Sequence, residues 1–136
     1  MSAAQGEARS RIMRAIKSKN TAPELAVRRL LHAAGYRFRL HRSDLPGKPD
    51  IVLPKHNVVI FVHGCFWHQH PSPDCRNAQL PRSNTAYWLP KLARNVERDH
   101  AAADQLQTMG WRVLTVWECK TKQMADLEKA LHAFLA

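Results

Sequence analysis

Seven stretches of the chain carry a regular pattern of apolar positions. Leu25, Val27, Leu30 and Leu31 recur at helical spacing after Thr21-Ala-Pro-Glu24. There Thr21 can cap, Pro23 suits the first turn and Glu24 falls at the capping-box position. Gly35 ends that helix. Tyr36, Phe38 and Leu40 alternate with Arg37, Arg39 and His41, which predicts a half-exposed strand with a basic outer face. A turn at Asp44-Leu-Pro-Gly47 leads to a short strand at 48–53, and Pro54-Lys-His-Asn57 makes a hairpin turn into the apolar run Val58-Val59-Ile60-Phe61-Val62. Antiparallel pairing of these two strands sets Asp50 and His63 at the same edge of the sheet. After a polar, irregular stretch at 76–84, Trp88, Leu92, Val96 and Leu106 stripe a long helix over about 85–109, with Gly110 as its stop. A strand at 111–117 and an amphipathic helix over about 123–135 complete the order α-β-β-β-α-β-α.

The strand after the long helix is expected to join the sheet parallel to a neighbour through a right-handed crossover. The expected fold is a single three-layer domain over 1–136, of class α/β (α+β), with a mixed central sheet flanked by helices. The 136 residues are 45% apolar, enough for a core and against wholesale disorder. No apolar run reaches the roughly 18 residues of a membrane span, and MSAAQGEARS lacks the apolar stretch of a secretory signal. A cytoplasmic location is therefore expected. The net charge of +10, with a pI near 10.2, points to a polyanionic partner, with nucleic acid first. Charge alone does not separate DNA from RNA or an anionic membrane surface. Residues 1–20 carry five basic side chains and one acid, with Ile12, Met13 and Ile16 at helical spacing. They read equally as a surface helix and as a basic arm that folds against nucleic acid.

The chemistry-bearing side chains gather where the apolar run stops. His63, His68 and His70 are three of eight histidines, and they share a loop with Cys65, Cys75, Phe66 and Trp67. An odd set of three cysteines argues against a disulfide scaffold. Cys65, His70 and Cys75, five residues apart, together with Cys119 beyond the last strand, make a Cys₃His set suited to one structural zinc ion. Their spacing is wider than that of common zinc fingers, and the alternative is a buried thiol at Cys119 with free thiols in the loop. Asp50, His63, His68 and Asp99 form a second group. Carboxylate oxygen suits a hard cation such as Mg²⁺. A histidine beside it can move a proton to or from an attacking water, and Asp99 can orient a histidine through its second ring N–H. Taken singly, Asp50 reads as a turn residue and Asp99 as a solvated helix position. Together, in a basic protein, they point to metal-dependent phosphodiester hydrolysis. Phe66, Trp67 and Trp88 either cover the cysteine cluster or form a wedge between base pairs.

The segments PGKPDIV, VVIFVHGCFWHQH, YWLPKLARNVERD and GWRVLTVWEC resemble, in order and spacing, the very short patch repair endonucleases, over nearly the whole span from Arg9 to Cys119. The resemblance implies a restriction-endonuclease-like core and nicking of DNA on the 5′ side of the thymine in a T:G mismatch, the product of 5-methylcytosine deamination. It implies two catalytic Mg²⁺ ions, with Asp50 as bridging carboxylate and Val62 contributing its backbone carbonyl. The best-known member has threonine at that position, so valine is a departure that keeps the carbonyl. His68 matches the general base, Asp99 its orienting partner, His63 a second active-site histidine, and Glu24 an acid acting on the metal site through water. Cys65, His70, Cys75 and Cys119 match the structural zinc ligands, with Pro71-Ser-Pro-Asp74 as extra loop residues before Cys75. Phe66, Trp67 and Trp88 match aromatics that intercalate beside the mismatch, and Met13 a wedge from the opposite groove.

The expected partner is double-stranded DNA carrying a T:G mismatch, with mismatch-repair proteins as candidate helpers and the nucleoid of a bacterial cytoplasm as the place of action. A lone catalytic domain is expected to act as a monomer and to nick one strand. Two other readings stay open: a restriction-type nuclease acting on matched DNA, and a zinc-stabilised DNA-binding module without catalysis.

Overall fold

The computed structural model describes residues 20–136. All but the last residue of the 1–20 arm, Met13 included, lies outside the described residues. Among the described residues the elements are α1 (Ala22–Ala33), β1 (Arg39–Leu40), β2 (Ile51–Leu53), β3 (Val58–His63), α2 (Thr85–Thr108), β4 (Arg112–Trp117) and α3 (Met124–Leu135). This is the α-β-β-β-α-β-α order read from the apolar pattern. The sheet runs β1-β2-β3-β4, antiparallel across β1/β2 and β2/β3 and parallel across β3/β4, so α2 is the crossover between two parallel neighbours.

Both faces of the sheet are covered, which is why β3 reads as a continuous apolar run. On one face Ile51, Leu53, Val58, Ile60 and Val116 pack with Val27 and Leu31 of α1 and Leu127, Leu131 and Leu135 of α3. On the other, Val52, Val59 and Phe61 pack with Leu106 of α2 and Leu45 of the loop before β2. The period of two along β3 thus sends Val58 and Ile60 to the α1/α3 side and Val59, Phe61 and His63 to the α2 side. The chain is a three-layer mixed α/β assembly. Among the described residues no helix is long and apolar enough to cross a membrane.

One expectation needs correction. The alternating stretch 36–40 is not a full strand: only Arg39 and Leu40 pair with β2, and both are exposed. Tyr36 and Phe38 pack against the α1/α3 core instead. The alternation therefore marks apolar anchoring of a coil segment, and the ladder ends where His41 takes a left-handed conformation at φ 49°. The turn before β2 depends on Gly47. Its φ is +71°, and a Cβ there would stand 2.7 Å from Ala102 Cβ and 3.1 Å from Phe61 Cζ. Only glycine lets this loop lie flat on α2.

Candidate active site

Asp50 precedes β2 by one residue, and the β2/β3 register, Ile51 opposite Ile60, sets it beside the C-terminal half of β3. The Val62 N–H donates to Asp50 Oδ2 at 2.7 Å. Burial pushes the Asp50 carboxyl up to about 6; the Val62 hydrogen bond opposes this, and the Glu24 charge adds to it. Glu24 reaches the same place from α1. Its backbone N–H donates to Thr21 Oγ1 at 3.4 Å, as expected of the helix cap, while its carboxylate is 2% exposed and heavily bonded. Oε2 accepts from the Asn20 N–H at 2.6 Å, and Oε1 lies 2.5 Å from His41 Nε2 and 3.2 Å from the Arg28 guanidinium. Glu24, His41 and Asp50 bring three ligand atoms within 4.8 Å of one another.

The histidines sit opposite. His63 ends β3 on the α2 side, buried, and burial and His68 hold its pKa down at about 4, so it is neutral near pH 7. His68 stacks on it, with ring centroids 3.8 Å apart and planes 5° from parallel. The loop is tight enough to do this because the His68 N–H returns to the Gly64 carbonyl at 3.1 Å. His68 Nδ1 donates to Asp99 Oδ2 on α2 at 2.7 Å. That bond fixes the tautomer and leaves Nε2 with its lone pair, the form a proton acceptor requires.

The same loop then folds back on its own start. The His70 N–H donates to the Cys65 carbonyl at 2.9 Å, and the Cys65 N–H donates to Glu118 Oε1 at 3.1 Å. Cys65, His70, Cys75 and Cys119 each direct one ligand atom into a group spanning no more than 4.8 Å. His70 Nδ1 is 3.8 Å from Cys65 Sγ and 3.5 Å from Cys119 Sγ. The vertices of a tetrahedral zinc site lie about 3.5–3.8 Å apart for bonds of about 2.0–2.3 Å, so donor set and spacing both fit zinc. Burial pushes the Cys65 thiol up to about 12, so it stays protonated by itself and only a bound cation would offset the cost of its thiolate. The His70 ring stacks on Trp117 at 4.4 Å, and Trp117 meets His63 edge-on at 5.3 Å.

Phe66, Trp67 and Trp88 form one aromatic group, with centroids 5.2, 5.5 and 5.8 Å apart pairwise. Phe66 and Trp67 line the cleft, and Trp88 packs against both. The cleft has a volume of about 850 Å³, and its lining includes Glu24, Asp50, Val62, His68, Trp67 and Asp99. Cations border it too: Lys48, Lys91 and Arg98. The Lys91 ammonium stands 5.9 Å from the Trp67 ring centroid. Asn95 donates to the Trp67 carbonyl at 3.0 Å, and Arg98 donates to Asn95 Oδ1.

Comparison with known proteins decides the family. The family model for DNA mismatch endonuclease Vsr matches residues 2–76. The chain belongs to the Vsr family. A type II nicking enzyme of Xanthomonas oryzae pv. oryzae is 52% identical to it over 129 residues, 95% of this chain and 93% of that protein. The DNA mismatch endonuclease Vsr of Escherichia coli is 47% identical over 111 residues, 82% of this chain and 69% of that one. The catalytic domain of the homing endonuclease I-Bth0305I shares the fold, with a TM-score of 0.58 at 19% identity, covering 85% of this chain and 94% of that domain.

In this Vsr-family chain the fold brings Glu24, Asp50, His63, His68 and Asp99 to one cleft with Phe66 and Trp67, against which Trp88 packs. Met13 lies outside the described residues. Sequence reasoning missed His41, which read only as the polar side of a strand, and Arg28, to which it gave no role. It also missed Asn95 and Lys91, one turn apart on α2. Their signal was faint: on α2 both lie near the helix positions of Trp88 and Asp99, so one face of that helix carries polar groups where a stripe of core residues would end.

Proposed function

We propose that this protein nicks one strand of duplex DNA 5′ of the thymine in a T:G mismatch, by divalent-cation-dependent hydrolysis. The observation that carries this reading is the meeting, in one cationic cleft, of Asp50, the Asp99-held His68 and the aromatic group Phe66, Trp67 and Trp88. The family and the activities its relatives are named for, mismatch endonuclease and nicking enzyme, agree with it.

Asp50 and the Val62 carbonyl would hold Mg²⁺, with Glu24 acting through water; the bound cations would stabilise charge on the attacking water and on the departing 3′ oxygen. His68 Nε2 takes a proton from the water as its oxygen bonds to phosphorus and the P–O3′ bond breaks; the departing O3′ takes a proton from solvent, giving a 5′-phosphate and a 3′-hydroxyl. Asp99 holds the imidazole and offsets the charge it gains. His63, neutral and buried, supports the His68 ring by stacking and stands beside the scissile phosphate. Phe66, Trp67 and Trp88 open the stack next to the mismatch. A wobble pair resists this less than a matched pair, so deformation energy contributes selectivity. Cys65, His70, Cys75 and Cys119 would hold zinc, which ties the catalytic loop to the end of β4. The core is of restriction-endonuclease type and acts as a single domain in the bacterial cytoplasm, on the nucleoid.

The reading is tested with Asp50→Asn. Nicking of a T:G duplex should fall below detection, while affinity for that duplex stays within about threefold, because the aromatic and cationic contacts remain. Persistent nicking would remove Asp50 from its role.

A further inference from the structure

Two carboxylates from different elements, Glu24 on α1 and Asp50 before β2, are drawn together although like charges repel. One residue joins the two segments, bonded to the Glu24 carboxylate and to the Asp50 backbone. The His41 backbone N–H donates to the Asp50 carbonyl at 3.0 Å, and its ring Nε2 lies 2.5 Å from Glu24 Oε1. To do this His41 adopts φ 49°, a left-handed conformation uncommon for a residue with a side chain but enriched for histidine. Such backbone outliers collect where a site needs a fixed geometry. The other partner of Glu24 Oε1, Arg28, is divided between tasks. Its guanidinium also donates to Asn20 Oδ1 at 2.7 Å, and its Nε is buried without a hydrogen-bond partner. The imidazole therefore makes the closer and more directed bond.

With Oε1 taken by His41 and Arg28 and one lone pair of Oε2 by the Asn20 N–H, most acceptor sites of the Glu24 carboxylate are committed to the protein. Glu24 contributes negative charge and orders water, and both depend on where the carboxylate is held. We propose that His41 is a positioning residue of the divalent-cation site, holding the Glu24 carboxylate beside Asp50 through its Nε2–H. This rests on the reading of Asp50 as a metal ligand. Outer partners of this kind set metal affinity through the geometry of the groups they hold.

The test uses Mn²⁺ as probe, titrated into the full-length, zinc-loaded protein without DNA and followed by electron paramagnetic resonance of the free ion. His41→Ala should weaken Mn²⁺ binding about 10–100-fold. His41→Gln, whose amide can donate to Glu24, should recover most of that loss. Thermal melting of each variant establishes that it is folded. In a Glu24→Gln background the His41→Ala change should have little further effect, because the histidine acts through that carboxylate. Wild-type affinity in His41→Ala would overturn the proposal. So would a folded His41→Gln as weak as His41→Ala, or a full additional loss in the Glu24→Gln background. Undiminished Mn²⁺ binding by Asp50→Ala would overturn the metal reading of Asp50 instead, which separates the two failures.

Discussion

Asp50 is a charge that its own fold resists. Its pKa is raised by burial to about 6, so the folded state binds the proton more tightly than the unfolded chain does. The stability this confers is present below the unfolded value near 4 and is lost as pH rises through 6. At pH 8 without divalent cation, Asp50→Asn should therefore stabilise the protein, by about 1–3 kcal/mol, and the gain should vanish near pH 4; urea unfolding at the two pH values measures it. An unchanged or lower stability at pH 8 would contradict the burial argument. His63 has the opposite sign. Its pKa is depressed to about 4, so its contribution is full above about 6.5 and falls as pH drops toward 4. His68→Ala should slow single-turnover nicking by about 10²–10⁴-fold with T:G affinity unchanged. Residues of this kind were legible in the sequence because they are expensive where they stand: histidines at the end of an apolar strand, and an acid before another. His41 was not, because its role exists only once α1, the coil after β1 and the start of β2 meet.

At the scale of elements, the apolar periodicity reports burial and not hydrogen bonding. It therefore found β2, β3, β4 and all three described helices, which are buried along a stripe or on both faces. It overstated β1, where Tyr36 and Phe38 are half-buried against the core without a ladder. Gly47 carries the loop onto α2, so Gly47→Ala should destabilise the fold by about 1–3 kcal/mol through overlap with Ala102 and a left-handed backbone; a shift of the urea midpoint reads this out. The loop after β3 has few buried apolar side chains beyond Cys65 to hold it. Cys119→Ser should accordingly release zinc, from about one ion per chain by elemental analysis, and lower the melting temperature. A zinc-free wild type with the same melting point as the variant would end the structural-zinc reading.

At the scale of the molecule, charge and deformation divide the task of recognition. The net charge of +10 acts on any phosphate backbone. Raising salt from 50 to 200 mM should weaken binding to T:G and matched duplexes by a similar large factor, about 10³ for six phosphate contacts. The ratio of the two affinities should hardly move under the proposed reading of the mismatch through stacking and groove shape; fluorescence anisotropy at each salt concentration checks it. Neither the charge nor the fold says which strand or which base pair is chosen. Under the proposed function that choice falls to the aromatic group beside His68 and Asp50. The most direct measurement incubates the purified protein with end-labelled duplexes that differ only in a T:G or a T:A pair, in several flanking contexts, with and without Mg²⁺. A Mg²⁺-dependent nick on the 5′ side of the mismatched thymine is expected, with the T:A duplex left intact. Equal cutting of both duplexes, or binding without cutting in every context, would contradict it.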